Sequence, residues 1–344
     1  MNLSEAYAEL LPAVEAEMRA ILSASEPILA RHYGLMQYHM GWLDADLRPA
    51  DAAAGKRLRP LLCLLACAAV GGAPGRAAPA AAGLELLHNF SLIHDDIEDD
   101  SPTRRHRPTL WKLFGMPMAC NAGDGMFSLA HGAFHRLGRH GLPAAAVLEA
   151  LRVFDEMCVA LTEGQFLDMA FEARLDVTVD EYFAMIRGKT GALFAAAPQI
   201  GALIGGGPAD AVEAYRDFGA GLGRAFQLQD DLLGIWGDEA LTGKSAASDI
   251  LSRKKSLPVV YALGHPVVGE RLRQLYAGAP FDCADLPLVL RLLDAAAARG
   301  YVEAQVRGAI ADAQDALAAA RRFAVSEAHD VLGELLDSLV KRQT

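Results

Sequence analysis

The sequence is poor in several features that define other classes of protein. Aromatic residues make up only 7% of the 344 positions, and β-branched residues are sparse, which disfavours a mostly β fold. The five cysteines are odd in number and scattered, without a CxxC pair or the ligand spacing of a zinc site. We therefore expect neither a disulfide framework nor structural zinc, but reduced thiols packed in helices, as is typical of cytosolic proteins.

Positive charge is also in short supply. Lys and Arg total 32 against 43 Asp and Glu, so the formal net charge is −11, and no basic face is evident. A nucleic-acid partner is therefore not expected. The basic residues are clustered rather than spread, which still permits a phosphorylated substrate.

No apolar run is long enough to predict a membrane span. The segment ALFAAAPQIGALIGGG, residues 192–207, is shorter than the roughly 20 residues that a span needs, and it contains Pro198 and Gln199. It predicts a buried, proline-kinked helix. The first 22 residues carry acids throughout and predict an amphipathic helix rather than a secretory signal. Together these features predict a cytoplasmic protein.

What the sequence has in quantity favours helices. Hydrophobic residues make up 52% of the chain, and helical periods dominate between glycine and proline breakers. No repeat or long linker divides the chain, so we predict one all-α domain over residues 1–344, a many-helix bundle around a deep central cavity. The predicted helices cover residues 2–22, 28–41, 59–70, 77–99, 116–137, 144–173, 179–187, 190–204, 209–236, 256–263, 267–277, 287–298, 301–326 and 328–342.

The most informative segment is LIHDDIEDDSPTRRHRPTLW, residues 92–111, which has five acids in the six positions from Asp95 to Asp100. In a helix, Asp95 and Asp99 would project from one face, one turn apart. Carboxylates so placed repel each other unless a hard cation lies between them, and oxygen ligands without His or Cys suit Mg²⁺. Arg104 and Arg105 follow, and guanidinium groups bind phosphate oxygens. The segment therefore predicts a polyphosphate site.

A second segment repeats this arrangement. FQLQDDLLGIWGDEALTGKSAASDILSRKKSLP, residues 226–258, places Asp230 and Asp231 after an apolar helical stretch and follows them with several basic residues. Two clusters with matched surroundings predict a shared site. Weaker signals, each more often structural when alone, are Lys56 and Arg59 at a helix start, and His88 two turns before Asp95.

In their order along the chain, these motifs resemble the trans-isoprenyl diphosphate synthase (polyprenyl synthetase) family, from about Gly55 to Ala262. The resemblance implies that Asp95 and Asp99 hold Mg²⁺ on an allylic diphosphate, with Asp96 in support. Asp230 would hold a further ion with help from Asp231. Two bound diphosphates bring on the order of six negative charges, which about three Mg²⁺ ions would cancel.

The family's reaction would be a Mg²⁺-dependent condensation of isopentenyl diphosphate with an allylic diphosphate, by ionisation, condensation and proton loss, in a homodimer. The resemblance assigns the isopentenyl diphosphate pocket to Lys56, Arg59, His88 and Arg105, the allylic diphosphate clamps to Arg104, Lys189, Lys244 and Lys254, and the junction of the two substrates to Thr190, Phe226 and Gln227.

The chain departs from the family pattern at two positions. The second motif reads DDLLG instead of DDxxD, so Gly234 stands in place of the last acid, and Asp249 in SAASD is a candidate to assist. His106 stands where many members have glycine in RRGxPT. We read His106 as a subfamily variation close to the isopentenyl diphosphate pocket.

The product is predicted from the residues just before the first motif. Phe90 lies five residues before Asp95, and the small Ser91 lies four before it, which resembles the pattern of geranylgeranyl diphosphate synthases. Farnesyl and longer-chain synthases remain alternatives. A class I terpene cyclase is disfavoured because it needs no isopentenyl diphosphate pocket, and a helical HD-type phosphohydrolase is suggested only by His94 before Asp95.

Overall fold

A computed structural model describes residues 1–52, 55–237 and 248–340, and within them the protein is mostly helical with almost no sheet, as predicted. Single 3₁₀ turns occur at Pro27–Leu29, Arg136–His140 and Arg321–Phe323, and a π-helical turn at Arg187–Gly191. The α-helices are α1 (Leu3–Ile21), α2 (Ala30–His39), α3 (Leu58–Ala69), α4 (Pro74–Glu98), α5 (Leu110–Phe114), α6 (Met116–His135), α7 (Ala144–Glu172), α8 (Val179–Ile186), α9 (Ala192–Ile204), α10 (Ala209–Trp236), α11 (Ser248–Leu251), α12 (Leu257–Leu263), α13 (Gly269–Ala277), α14 (Leu286–Ala295), α15 (Ala298–Ala320) and α16 (Ala328–Val340).

The sequence analysis missed the shortest elements. Helices α5 and α11 have five and four residues, too few to show a hydrophobic period. A two-stranded hairpin was also missed, in which β1 (Thr103–Arg104) pairs antiparallel with β2 (Arg107–Pro108). The last predicted helix ends at residue 342, outside the described residues.

The chain forms two compact units. The first comprises Met1–Phe154, Ala197–Tyr215 and Ala320–Leu335. Its centre is α4, which packs against α1, α3 and α6. Small residues allow α4 to approach α6 closely: a Cβ on Gly83 would lie 2.9 Å from the carbonyl oxygen of Ala130. Helix α3 is buried along nearly its whole length, which accounts for its apolar sequence.

The second unit comprises Asp155–Ala196, Arg216–Ala319 and the described part of 336–344. One core cluster joins side chains of α8, α10, α12 and α15, including Tyr182, Leu228 and Val260. Another surrounds Ile235 at the end of α10 and Ile250 on α11. This second cluster seats the short helix α11 against the end of α10.

The cysteines all carry free thiols, as predicted. Cys63, Cys67 and Cys158 are buried, whereas Cys120 and Cys283 are exposed, so the expectation that all five are packed in helices was wrong for these two. Cys283 also lies between helices α13 and α14. Among the described helices, none combines the length and the apolar character that a membrane crossing requires.

Candidate active site

The first acid cluster lies at the carboxyl end of α4, in the first unit. Asp95 is in the last turn, and Asp99 is the C-cap, its amide donating a 2.9 Å hydrogen bond to the carbonyl of Asp95. Asp95 is half-buried, Asp99 is exposed and Asp96 is buried. Because residues four apart share a helix face, the two accessible carboxylates lie one turn apart on one side, as the spacing predicts.

Asp96 ties this cluster to the β-hairpin. The Nε of Arg104 donates a 2.7 Å hydrogen bond to Oδ1 of Asp96. Burial raises the pKa of Asp96 to about 6, opposed by Arg104 and assisted by the neighbouring charges of Asp95 and Asp99. Its Oδ2 is buried with no hydrogen-bond partner among the described residues. An orphaned carboxylate oxygen in an acidic surrounding is suited to a cation.

The hairpin turn sets a backbone requirement at one departure from the family pattern. Its two central residues, Arg105 and His106, have φ angles of 51° and 61°, as a two-residue turn between antiparallel strands requires. Glycine adopts this conformation at least cost, so the backbone at position 106 would suit the glycine of the RRGxPT pattern better than His106. The sequence interpretation of His106 did not include this backbone requirement.

We expect His106→Gly to raise the free energy of unfolding by about 0.5–1 kcal/mol. The left-handed conformation costs a Cβ-bearing residue roughly 1–2 kcal/mol, which glycine avoids. Part of this gain is offset because glycine has greater conformational freedom in the unfolded chain. The His106 side chain is exposed, so little packing is lost. Urea denaturation measures the change. His106→Ala, which keeps the Cβ, is the control and should bring no gain; a His106→Gly variant clearly less stable than the parent would contradict this explanation.

A group of half-buried residues, here called the cationic pocket, comprises Arg59, His88 and the hairpin residue Arg105, all in the first unit. Gly55 allows the close approach of Arg105, since a Cβ on this glycine would lie 2.8 Å from an Nη of that guanidinium. Burial lowers the pKa of Arg59 to about 10 and, with Arg59 and Arg105 nearby, holds the pKa of His88 well below its usual value. Lys56, the residue after Gly55, is exposed. Neutral imidazole and crowded guanidinium groups favour a bound anion.

Two further groups of this pocket were missed by the sequence analysis. His39, at the end of α2, has a pKa held well below its usual value by burial and by Arg105 and other arginines. The buried Arg57 donates hydrogen bonds of 2.9 Å to Glu15 and 2.7 Å to Glu85. These partners lie far away in sequence, so no local pattern could have revealed them.

The second acid cluster lies on α10, in the second unit, and its two aspartates differ in environment. Asp231 is buried and accepts hydrogen bonds from the amide of Leu257 (2.7 Å), from Gln227 (3.1 Å) and from the hydroxyl of Tyr182. Burial raises its pKa to about 6, against the lowering effect of Lys254 and these donors. Asp230 is half-buried. Asp231 therefore anchors the cluster, and Asp230 is the more accessible carboxylate.

The π-helical turn between α8 and α9 positions Lys189 and Thr190. Lys189 donates a 2.5 Å hydrogen bond to Asp168 on α7, and the hydroxyl of Thr190 donates a 2.7 Å hydrogen bond to Gln227. Gly164 makes this possible, since a Cβ there would lie 2.0 Å from the amide nitrogen of Lys189. The chain of contacts Thr190–Gln227–Asp231 links the turn to the second acid cluster.

Lys254 lies among carboxylates. Desolvation would lower its pKa, but the charges of Asp231, Asp249 and Asp230 outweigh this effect and raise the pKa. The Lys254 residue as a whole is exposed.

Two predicted site residues remain. The ring centroid of Phe226 lies 5.2 Å from that of Phe194. Lys244, the remaining predicted clamp, lies outside the described residues.

The predicted product-length residue Phe90 belongs to a ladder of rings in the first unit. Its centroid lies 4.7 Å from the ring of His94 and 4.9 Å from that of Phe127 on α6. Phe127 packs in turn on His131, and His131 on Phe154. Ser91, beside Phe90, donates a hydrogen bond to the carbonyl of His88. The Phe90 ring is therefore held by contacts with neighbouring aromatic rings.

His94 does not join the acids that follow it. Its Nε2 lies 3.6 Å from Asp124 and 3.4 Å from the carbonyl of Cys120, both on α6, and Gly123 leaves room for the ring. Among the described residues the trio His94, Cys120 and Asp124 has the spacing to hold a metal ion. It contains a single histidine, whereas an HD-type site requires several.

Comparisons with known proteins identify the family of the chain. Residues 42–292 match the polyprenyl synthetase family. A (2E,6E)-farnesyl diphosphate synthase of Mycobacterium tuberculosis is 41% identical over 291 residues, covering 83% of this chain and 79% of that protein. A geranylgeranyl diphosphate synthase of the same species is 37% identical over 315 residues, covering 90% and 88%.

Solved structures give the same result. A polyprenyl synthetase from Streptomyces coelicolor A3(2) superposes with a TM-score of 0.89 and 35% identity, covering 98% of this chain and 99% of that one. A geranylgeranyl pyrophosphate synthase from Corynebacterium glutamicum, solved with isoprenyl diphosphate and magnesium, has a TM-score of 0.80 and 26% identity over 99% and 98% of the two chains. The chain therefore belongs to the polyprenyl synthetase family, has its all-α isoprenoid synthase fold, and is a prenyltransferase that makes trans-prenyl diphosphates.

Proposed function

We propose that the enzyme condenses isopentenyl diphosphate with an allylic diphosphate in a Mg²⁺-dependent reaction whose main product is geranylgeranyl diphosphate. The observation that carries this proposal is the pair of accessible carboxylates on α4, Asp95 and Asp99, beside a pocket rich in arginine. The alternative products, farnesyl diphosphate and longer chains, correspond to other members of the family to which this chain is similar.

The donor atoms at the two clusters fit Mg²⁺. Asp95, Asp99 and Asp230 offer carboxylate oxygens at accessible positions, and the orphaned Oδ2 of Asp96 adds negative character behind the first pair. Hard oxygen ligands without sulfur or imidazole suit this ion. When bound, about three Mg²⁺ ions would stabilise the negative charge that develops on the departing diphosphate.

The basic residues complete the binding of the allylic diphosphate. Arg104 is held toward the first cluster by Asp96, and Lys189 is held by Asp168. Lys254 keeps its proton because carboxylates surround it. We propose that these three cations bind the diphosphate oxygens and that Lys244 assists. Departure of the diphosphate group from this substrate would leave an allylic cation.

The second substrate is assigned to the cationic pocket. Glu85 acts on both Arg59 and Arg105 and is also hydrogen-bonded to Arg57, and the neutral His88 lies beside them. Lys56 would add a fourth contact to the diphosphate of isopentenyl diphosphate. Thr190, Gln227 and Phe226 would line the junction where the new bond forms. The released diphosphate would then accept the proton that is lost after condensation.

The whole chain would form one synthase domain in a cytoplasmic homodimer, where its free thiols stay reduced. Support for the dimer comes from large apolar side chains that a monomer leaves in water. On α7, Val159 and Phe166 are 56% and 64% exposed and, seven residues apart, share one helix face. Such exposure is typical of a protein interface.

Phe166→Glu is expected to convert the dimer into a monomer, because burying a charged side chain without a partner costs several kcal/mol. Light scattering during gel filtration should give about twice the chain mass of 36.6 kDa for the parent and the single mass for the variant. Val267→Glu, at an 81% exposed position in the second unit, is the control and should remain dimeric. A parent protein of monomer mass would overturn the dimer.

The product assignment is tested by mass analysis of the reaction products. The enzyme is supplied with Mg²⁺, isopentenyl diphosphate and, in separate reactions, dimethylallyl, geranyl or farnesyl diphosphate. We expect inorganic diphosphate release with each accepted primer and geranylgeranyl diphosphate as the final product. Accumulation of farnesyl diphosphate, or of chains longer than geranylgeranyl, would reject the product assignment, and no elongation with any primer would reject the proposed reaction.

A further inference from the structure

Three side chains with metal-binding atoms meet where the last turns of α4 pack against α6. His94 lies on α4, and Cys120 and Asp124 lie one turn apart on α6. The Nε2 atom of His94 lies 3.6 Å from Oδ1 of Asp124, and the Sγ atom of Cys120 lies 4.0 Å from Oδ2 of the same carboxylate. All three ligand atoms lie within 4.8 Å of one another. Both helices belong to the first unit.

Gly123 provides the space that the imidazole occupies. A Cβ at this position would lie 2.3 Å from Nε2 and 2.4 Å from Cδ2 of His94, which close packing does not allow. Positions 120, 123 and 124 share one face of α6, so the ring lies over the face that carries the thiol and the carboxylate. The ring of Phe90 also packs against the imidazole, with 4.7 Å between the two centroids. The position of the His94 ring is therefore set by helix packing.

The three ligand atoms make only long contacts with the protein. Nε2 of His94 lies 3.4 Å from the carbonyl oxygen of Cys120, and this distance, like the two to Asp124, is long for a hydrogen bond. In the part of the chain that the structure describes, no lysine or arginine forms an ion pair with Asp124. The side chain of Asp124 is 63% exposed, and Cys120 is exposed too. An ion can therefore reach all three ligands from solvent.

The spacing and the types of ligand suit zinc. Bonds of about 2.0–2.3 Å from Zn²⁺ to nitrogen, oxygen and sulfur, at tetrahedral angles, place the ligand atoms about 3.3–3.6 Å apart. The separations of 3.6 and 4.0 Å in this cluster are close to these values. Thiolate and imidazole favour Zn²⁺, whereas Mg²⁺ prefers oxygen ligands. The cluster therefore differs in metal preference from the two aspartate clusters.

We propose that His94, Cys120 and Asp124 bind a divalent transition-metal ion such as Zn²⁺, with water as the fourth ligand. Binding releases the proton of the Cys120 thiol to solvent and uses Nε2 of the neutral imidazole. The ion joins α4 to α6 one residue before Asp95 and fixes the ring that packs on Phe90. It is separate from the Mg²⁺ of the proposed reaction. The sequence showed no such site, because 26 residues separate His94 from Cys120.

Co²⁺ is the probe for this site, because a cobalt–thiolate bond absorbs in the near ultraviolet and a cobalt–carboxylate bond does not. The full-length protein is freed of metal, kept reduced and titrated with Co²⁺ in excess Mg²⁺. We expect the thiolate absorption to saturate at one ion per chain and to disappear when Zn²⁺ is added. Cys63, Cys67 and Cys158 are buried, so Cys120 and Cys283 are the two accessible thiols. Cys120→Ser should abolish the absorption, and the matched control Cys283→Ser should keep it.

The other two ligands are tested by variants of similar size. Asp124→Asn and His94→Gln should each weaken Co²⁺ binding by about tenfold or more, since the loss of a group that only supports a ligand already costs about 10–100-fold. A parent protein without the absorption, or a Cys120→Ser variant that retains it, would overturn the proposal. If Cys120→Ser does not fold, Asp124→Asn decides, and an affinity equal to that of the parent would contradict the site. These titrations do not depend on prenyl transfer.

Discussion

Asp95→Asn is expected to lower the rate of prenyl transfer by about a thousandfold or more while the protein stays folded. Asparagine keeps the shape of the side chain but removes the charge, and losing a metal ligand at a developing diphosphate is worth several kcal/mol, or about 4 kcal/mol for a thousandfold effect. Asp95 is half-buried at the end of α4, so the change should hardly affect the core. Diphosphate release at saturating substrates measures the rate.

The matched control for this variant lies in the same acidic run. Glu98 is exposed in the last turn of α4 and is not among the residues proposed to bind the metal or the substrates. Glu98→Gln removes one charge from the cluster, so it tests whether general acidity alone matters. We expect its rate to remain within about threefold of the parent, as a surface charge change permits. Equal losses in both variants would argue against a specific ligand role for Asp95.

Phe90→Ala is expected to lengthen the product by at least one isoprene unit, since it removes a bulky ring five residues before the first aspartate of the motif. Phe127, whose ring lies 4.9 Å from that of Phe90, would remain and limit the extension. Phe90→Ala, Phe127→Ala should therefore give still longer chains. Mass analysis of the prenyl alcohols after phosphatase treatment identifies them.

Ser91→Phe is the opposite change at the neighbouring position and should shorten the product toward farnesyl diphosphate. Opposite shifts from adjacent positions would show that this turn of α4 sets chain length. A variant that merely folds poorly would lose activity, and it would not shift the product length in opposite directions. Opposite shifts in product length would therefore exclude misfolding as their cause. An unchanged product in both variants would show that residues of another helix limit the product length.

The helical elements that carry the site were predictable where periodicity is strong. The four-residue spacing of Asp95 and Asp99 predicted one accessible helix face, and α4 provides it. The different environments of Asp230 and Asp231 could not be read from the sequence, because they depend on Tyr182 and Leu257, which are distant along the chain. The family pattern alone suggested that Asp231 has the supporting position.

Backbone conformation accounts for most of what the sequence analysis missed near the site. The hairpin at 103–108 has only two residues in each strand, and its turn depends on positive φ angles at Arg105 and His106. Lys189, which directly precedes the predicted helix 190–204, lies in a π-helical turn. This turn forms where Gly164 lets two backbones approach. Neither feature leaves a hydrophobic period in the sequence.

The contact between Gly234 and Asp249 shows why a departure from a motif needs structural analysis. In the sequence, DDLLG has lost an acid, and fifteen residues separate positions 234 and 249. In the structure, the glycine and the aspartate are in contact.

The most direct test of the central claim is the rate of diphosphate release from an allylic substrate and isopentenyl diphosphate before and after removal of divalent ions. If the two aspartate clusters act through Mg²⁺, a chelator should abolish release, and excess Mg²⁺ should restore it in the parent enzyme but not in Asp95→Asn. Release that continues undiminished in the chelator would contradict the account.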